Sequence, residues 1–317
     1  MNALPDWSAM ANQSRLAFGQ AVTAMAQEDE SVVAVSADTL DLVGLRTMMA
    51  ASPERVIEAG IAEQNAMGIA SGLATTGMRP FLCGYAPFIT ARSMEQLRND
   101  VAYANQRVVI GAAASGVSLG VAGGTHHALE DLALLRCLPN TTVVVPADAH
   151  QAWHATLASE NIDGPLYVRL GGRVEEPPVT AKDASFALGK ADVLWSGNDI
   201  AVITCGALVG PALEAAETLA GSGVSARVIN MHTIKPLDET AVLVAAECGT
   251  VVTAEEHHLT GGLGGAVAEL LARERPTPMR MIGMPDTYAV VGPTDKVRAK
   301  YGMSAAAIVE ACQGLLG

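Results

Sequence analysis

The feature that most limits what this chain can become is a regular alternation. Short apolar runs rich in β-branched residues, at 32–36, 108–112, 142–145 and 166–169, are each bounded by turn or polar residues. Runs of that length and composition read as buried strands. Between them, 63–74, 94–104 and 147–159 carry helical patterning. Strands alternating with helices predict a mostly parallel sheet covered by helices. The alternation breaks at 174–183, VEEPPVTAKD, where two adjacent prolines can continue neither a helix nor a central strand. It then resumes, with strands expected at 200–205, 225–230 and 250–255 and helices at 210–220 and 264–273. The expectation is an α/β protein of two three-layer domains, 1–173 and 184–317, joined by the linker 174–183, and 317 residues suit two domains of ordinary size.

Half of the residues are hydrophobic, enough for two buried cores, and the net charge of −13 argues against non-specific binding to nucleic acid or anionic membrane. Five widely spaced cysteines without a CxxC pair point to a reduced, cytoplasmic compartment. Met1–Asp6 lacks the basic and apolar regions of a signal peptide, and no apolar stretch reaches the length of a membrane span.

The most informative segment is Glu58-Ala59-Gly60-Ile61-Ala62-Glu63-Gln64-Asn65-Ala66-Met67-Gly68. Gly60 permits a tight turn, and Glu63 falls in the first turn of the helix that follows. The bland account of such an acid is a favourable helix-dipole interaction, worth under about 1 kcal/mol. The whole segment, however, resembles the motif of the pyrimidine-binding domain of the transketolase family, whose relatives include 1-deoxyxylulose-5-phosphate synthase and the β subunits of 2-oxoacid dehydrogenases. The resemblance implies thiamine diphosphate as cofactor, with Mg2+. It implies that Glu63 hydrogen-bonds the cofactor's aminopyrimidine and shares a proton with it, so that the cofactor's reactive carbon can lose its own proton.

The same resemblance covers nearly the whole chain and implies further roles. Asp38, after the first strand, lies near the cofactor, although an acid there can also cap the next helix. Phe88, with Tyr85 second, stacks on the aminopyrimidine, and Arg92 follows as a cofactor-side or ion-pairing residue. The segment Gly123-Gly124-Thr125-His126-His127 resembles the family's Gly-x-Ser/Thr-His loop. It puts His126 over the reacting carbonyl, where it can donate to developing oxygen charge. Arg15 and Arg169 resemble the sugar-phosphate anchors, a task suited to guanidinium.

The chain also departs from typical transketolases. Ala122 stands where they carry an Asp that reads sugar hydroxyls, and Ala114 where they carry a His that helps bind the substrate phosphate. The resemblance then implies that the cofactor chemistry is retained while the sugar specificity differs from that of the standard pentose-phosphate enzyme. No Gly-Asp-Gly segment for magnesium and diphosphate is found, which implies a partner chain carrying that domain, an active site between subunits, and an α2β2 assembly. The leading expectation is a heteromeric transferase of carbohydrate metabolism that moves a two-carbon ketol unit. A dehydrogenase β subunit and a non-catalytic assembly subunit are the alternatives. Two decoys are set aside: the Gly261–Gly265 turn lacks the spacing and lysine of a P-loop, and His150 and His154, four apart, lack a third zinc ligand.

Overall fold

The computed structural model describes residues 5, 7–174 and 176–317, so the expectation for Met1–Asp6 falls almost wholly outside the described residues, as does Glu175 of the linker. The strands are β1 (Val32–Ser36), β2 (Val56–Glu58), β3 (Arg79–Tyr85), β4 (Val109–Ala113), β5 (Thr142–Val144), β6 (Leu166–Arg169), β7 (Asp192–Trp195), β8 (Ile200–Thr204), β9 (Ala226–Asn230), β10 (Thr233–Lys235), β11 (Val251–His258) and β12 (Met279–Met284). Among the described residues they form two sheets, ordered β10-β5-β6-β4-β3-β1-β2 and β12-β11-β8-β9-β7. Each is parallel except at one edge, where β10 runs antiparallel to β5 and β7 antiparallel to β9. Mostly parallel sheets of this kind are buried on both faces, and accordingly every residue of β1, β4 and β8 is buried.

Three features differ from the sequence reading. First, β3 is central although Arg79-Pro80 opens it and Gly84 lies within it. Pro80 is tolerated because it pairs only with Val33 of β1, and pairing with β4 begins one residue later at Phe81. Second, the expected helix 94–104 is a composite: π-helical at Phe88–Arg92 and Leu97–Tyr103 with one α turn, Met94–Gln96, between them. Hydroxyls compete with the helical ladder there, since Thr90 Oγ1 donates to Ala86 O at 2.5 Å and Ser93 Oγ to Ile89 O at 2.7 Å. Third, β10 follows the linker by some fifty residues of chain yet completes the edge of the first sheet. One continuous core then joins the two halves, with Leu132, Leu135 and Val145 packed in the same cluster as Ile203, Met231, Leu263 and Val267. No helix among the described residues is long and apolar enough to cross a membrane.

The parallel strands β1, β2, β3, β4 and β6 all point their carboxyl ends to one side. Open α/β sheets hold ligands on that side, because the loops that follow the strands converge there.

Candidate functional site at the carboxyl edge of the first sheet

Gly60, with φ of 71°, turns the chain from the end of β2 into the helix Glu63–Thr75. The Glu58 carboxylate orders this turn. Its Oε1 accepts the Gly60 N–H at 3.0 Å and also the Asp38 N–H, at 2.7 Å, from the neighbouring loop after β1. Asp38 itself is exposed and sits at φ of 56°, a left-handed conformation to which Asp is better suited than most residues. The helix begins at Glu63, whose carboxyl is buried with 3% of the side chain exposed.

The other side chains gather here from the end of β3, the segment that follows it and the loop of His126. Arg92 donates from Nη1 to Glu63 Oε2 at 2.6 Å, and its guanidinium carbon lies 4.2 Å from the centroid of the Phe88 ring. Tyr85 meets Phe88 edge-on with centroids 6.2 Å apart. The His126 ring closes the group, 5.1 Å from Phe88 and 5.9 Å from Tyr85. Thr125 Oγ1 lies 3.0 Å from His126 Nδ1, and the His126 N–H donates to Gly123 O at 2.9 Å. Residues 63, 85, 88, 92 and 126, scattered in sequence, are thus one cluster.

Within it the arginine is informative. A planar group bearing N–H donors lies on an aromatic face and donates to a buried carboxylate. Arg92 has 45% of its side chain exposed, so it reaches the buried carboxyl from the solvent side. A flat heterocycle with a protonated ring nitrogen can make the same two contacts, and the donor set therefore suits an aminopyrimidine.

The two arginines expected to anchor phosphate are placed differently. Arg15 is buried, donating to Gly172 O at 2.9 Å and to Leu42 O and the Gln13 amide. Burial and the neighbouring charge of Arg173 lower its pKa. Arg169 lies in the core and is committed to protein partners: Nε and Nη2 bind both oxygens of Asp131, at 2.7 and 3.0 Å, and Nη2 also donates to Ala128 O and Glu256 O. Arg173, four residues on, is exposed and within electrostatic reach of Arg15. Sequence reasoning missed it because the strand pattern ends at 169. The signal available was the run Arg169-Leu170-Gly171-Gly172-Arg173, in which two glycines carry the chain from the strand to a second arginine. Ala114, at φ of 58°, is fully buried beside that segment and donates its N–H to Gly171 O at 3.0 Å.

The decoys have structural explanations. In the Gly-rich turn the first amides of the helix Leu263–Glu274 are taken by a buried carboxylate, Glu255, which accepts from Leu263 and Gly264 at 2.7 and 2.8 Å. An anion would find these amide donors already taken. His150 and His154 each approach a backbone carbonyl of the linker, Thr180 O at 2.7 Å and Lys182 O at 2.9 Å. Among the described residues no group of three or more His, Cys, Asp or Glu is arranged to hold a metal ion.

Fold and site together define an α/β protein that gathers a carboxylate, an aromatic face and an imidazole at the carboxyl edge of a parallel sheet. Comparison with known proteins is specific. The family described as transketolase, pyrimidine binding domain, matches residues 11–173, and transketolase, C-terminal domain, matches 189–308. The chain belongs to the transketolase family. It is 40% identical over 290 residues to a subunit of the apulose-4-phosphate transketolase of Phocaeicola vulgatus, covering 91% of this chain and 93% of that one. It is 39% identical over 289 residues to a 6-deoxy-6-sulfo-D-fructose transketolase subunit of a Clostridium species, covering 90% and 89%. A solved structure described as a split gene transketolase, inactive beta4 tetramer, superimposes with a TM-score of 0.86 at 39% identity, covering 96% of this chain and 98% of that one.

Proposed function

We propose that this chain is one subunit of a cytoplasmic, heteromeric, thiamine-diphosphate-dependent transketolase that moves a two-carbon ketol unit between sugar or sugar-phosphate substrates. The observation that carries the reading is the Arg92 guanidinium lying on Phe88 and bonded to buried Glu63, the place and chemistry an aminopyrimidine requires. Residues 1–173 supply this site, the linker 174–183 follows, and residues 184–317 form the second unit. Diphosphate and Mg2+ are assigned to a partner chain. That assignment is supported by two relatives of nearly this chain's length, each named as a subunit. An α2β2 assembly accounts for both chains, each active site lying between them.

When bound, the cofactor supplies a carbon nucleophile for C–C cleavage and re-addition. Glu63 holds a proton against the ring nitrogen, and its burial excludes water from that hydrogen bond. Phe88, backed by Tyr85, fixes the plane of the ring, and Arg92, partly exposed, gives up to the ring its place on the Phe88 face. Asp38 borders the same edge from the loop after β1. His126, over the aromatic pair, donates to oxygen charge that develops as the substrate carbonyl is attacked. Arg173, with Arg15 behind it, is assigned the substrate phosphate. Arg169 is not, because its donors are held by Asp131 and two carbonyls. Ala114 and Ala122 remove the side chains that a standard pentose-phosphate enzyme presents, so the sugar accepted is of a different shape.

The test is calorimetric titration of thiamine diphosphate with magnesium into this chain alone and into the chain co-expressed with its partner. Tight binding by the pair only is expected, with turnover of a ketose donor lost in Glu63→Gln. Tight binding by the isolated chain would refute the division of the site.

A further inference from the structure

The loop that presents His126 belongs in sequence to the first sheet, yet groups of the second unit hold it in place. It leaves at Gly116 and returns at Ala128, where reciprocal hydrogen bonds of 2.9 and 3.0 Å close its base. Into this base reaches Glu256 of β11. Its side chain is 5% exposed, Oε1 accepts the Val117 N–H at 2.8 Å, and Oε2 accepts Arg298 Nη2 at 2.8 Å. Gly116 makes the approach possible, since a Cβ there would stand 2.6 Å from the Glu256 carboxyl carbon, and its φ of 59° disfavours any other residue. The backbone carbonyl of Glu256 accepts from Arg169 Nη2, which also binds Ala128 O, so Glu256 touches one stem of the loop directly and is linked to the other through Arg169. Farther along, Gly292 N–H donates to Gly120 O at 3.1 Å, Thr294 Oγ1 to Val117 O at 3.2 Å, and His258 N–H to Leu129 O at 2.8 Å.

We infer that Glu256 is a positioning residue for His126, and that the second unit acts in catalysis through it as well as in assembly. A hydrogen bond from a backbone N–H to an ionised, buried carboxylate is among the stronger kinds. The Arg298 charge holds that carboxylate in place, and the carboxylate pins the stem at Val117, from which the loop runs on to His126. Without the carboxylate, Val117 loses its acceptor and Arg298 its ion-pair partner, and the loop keeps only its contacts from Gly292, Thr294 and His258, so the first stem can shift. A displacement on the order of 1 Å at a catalytic group can cost roughly a hundredfold in rate.

The inference rests on the assignment of His126 under the proposed function, and the experiment separates the two. In the complex with the partner chain, turnover, cofactor affinity, unfolding midpoint and backbone hydrogen exchange are compared for wild type, Glu256→Gln, Glu256→Ala, His126→Ala and the Glu256→Ala/His126→Ala double variant. Glu256→Ala is expected to lower kcat roughly ten- to a hundredfold, with cofactor affinity unchanged and faster exchange confined to residues 117–127. Glu256→Gln, which keeps an oxygen for Val117, recovers part of the loss and serves as the probe should the alanine variant not fold. On the His126→Ala background the Glu256 effect should vanish, because the group it positions is gone. A Glu256 effect that persists in full on that background, or that appears without faster loop exchange, overturns the inference. So does unchanged kcat in Glu256→Ala while His126→Ala is impaired. Full turnover by His126→Ala would instead overturn the assignment of His126 itself.

Discussion

Replacing Arg169 by glutamine separates a substrate anchor from a structural ion. Asp131 has a fully buried side chain and that of Arg169 is 4% exposed. The pair is bidentate, the Tyr167 hydroxyl donates to Asp131 Oδ2 at 2.6 Å, and Arg169 Nη2 adds two carbonyls. Each ion costs several kcal/mol to bury and the pair recovers that cost only while both members are present. Burial pushes the Asp131 carboxyl up, but the charge and hydrogen bonds of Arg169 outweigh it and hold the carboxyl below its ordinary value. A carboxyl depressed on folding stabilises the protein above its unfolded pKa, and that contribution is lost as pH falls through the folded value. Removing the guanidinium leaves a buried charge alone, at a cost of about 3–5 kcal/mol. Only the smaller effects of His257 and the Tyr167 hydroxyl then oppose burial, the sign reverses, and the variant should lose most stability towards alkaline pH. Urea unfolding at pH 5 and pH 8 should show the larger loss at pH 8, with part of it regained when Asp131→Asn is added. A loss under about 1 kcal/mol, accompanied by a raised KM for a phosphorylated sugar, would show that Arg169 is free to serve substrate and that this account of it is mistaken.

Arg173→Ala should raise the KM for a phosphorylated sugar roughly 10- to 100-fold, from about 1.5–3 kcal/mol for a charge-assisted contact, and leave unfolding unchanged. An equal effect on an unphosphorylated ketose would count against it. Phe88→Ala should weaken thiamine diphosphate binding to the complex by about 0.5–1.5 kcal/mol in calorimetry, the aromatic contribution beyond area burial. Burial lifts the Glu176 carboxyl from an ordinary 4.5 to about 7. Its protonated form is favoured by folding, so this group's contribution to stability is full below pH 4.5 and is lost as pH rises through 7. Glu176→Gln should flatten that slope in urea titrations between pH 5 and pH 8, and a slope as steep as that of wild type would rule out this group as its source.

Patterns set by near neighbours were legible in the sequence. The β-branched runs at 32–36 and 166–169 are strands with those bounds, and the helix beginning at Glu63 starts where Gly60 turns the chain. Such features follow from side-chain periodicity and turn chemistry within a few residues. The cluster of Glu63, Tyr85, Phe88 and His126 could be named through resemblance, yet the place of Arg92 between Glu63 and Phe88 could not. The central strand β3 was hidden by Pro80, whose tolerance depends on where β4 begins to pair.

By itself, then, the sequence determined the alternating α/β architecture, the acid at the head of its helix and the histidine loop, because each is written in local periodicity or a contiguous motif. Tertiary structure alone decided which guanidinium is buried among partners and which is exposed. Arg169 is neutralised by Asp131, 38 positions away, and capped by a carbonyl 87 positions away, which leaves Arg173 exposed. It also decided that β10 completes the first sheet and that Glu256 holds the histidine loop from 139 positions away. The physical reason is common to these cases: a charged or hydrogen-bonding group acquires its role from the partners that folding brings to it, and those partners lie outside the reach of any local pattern.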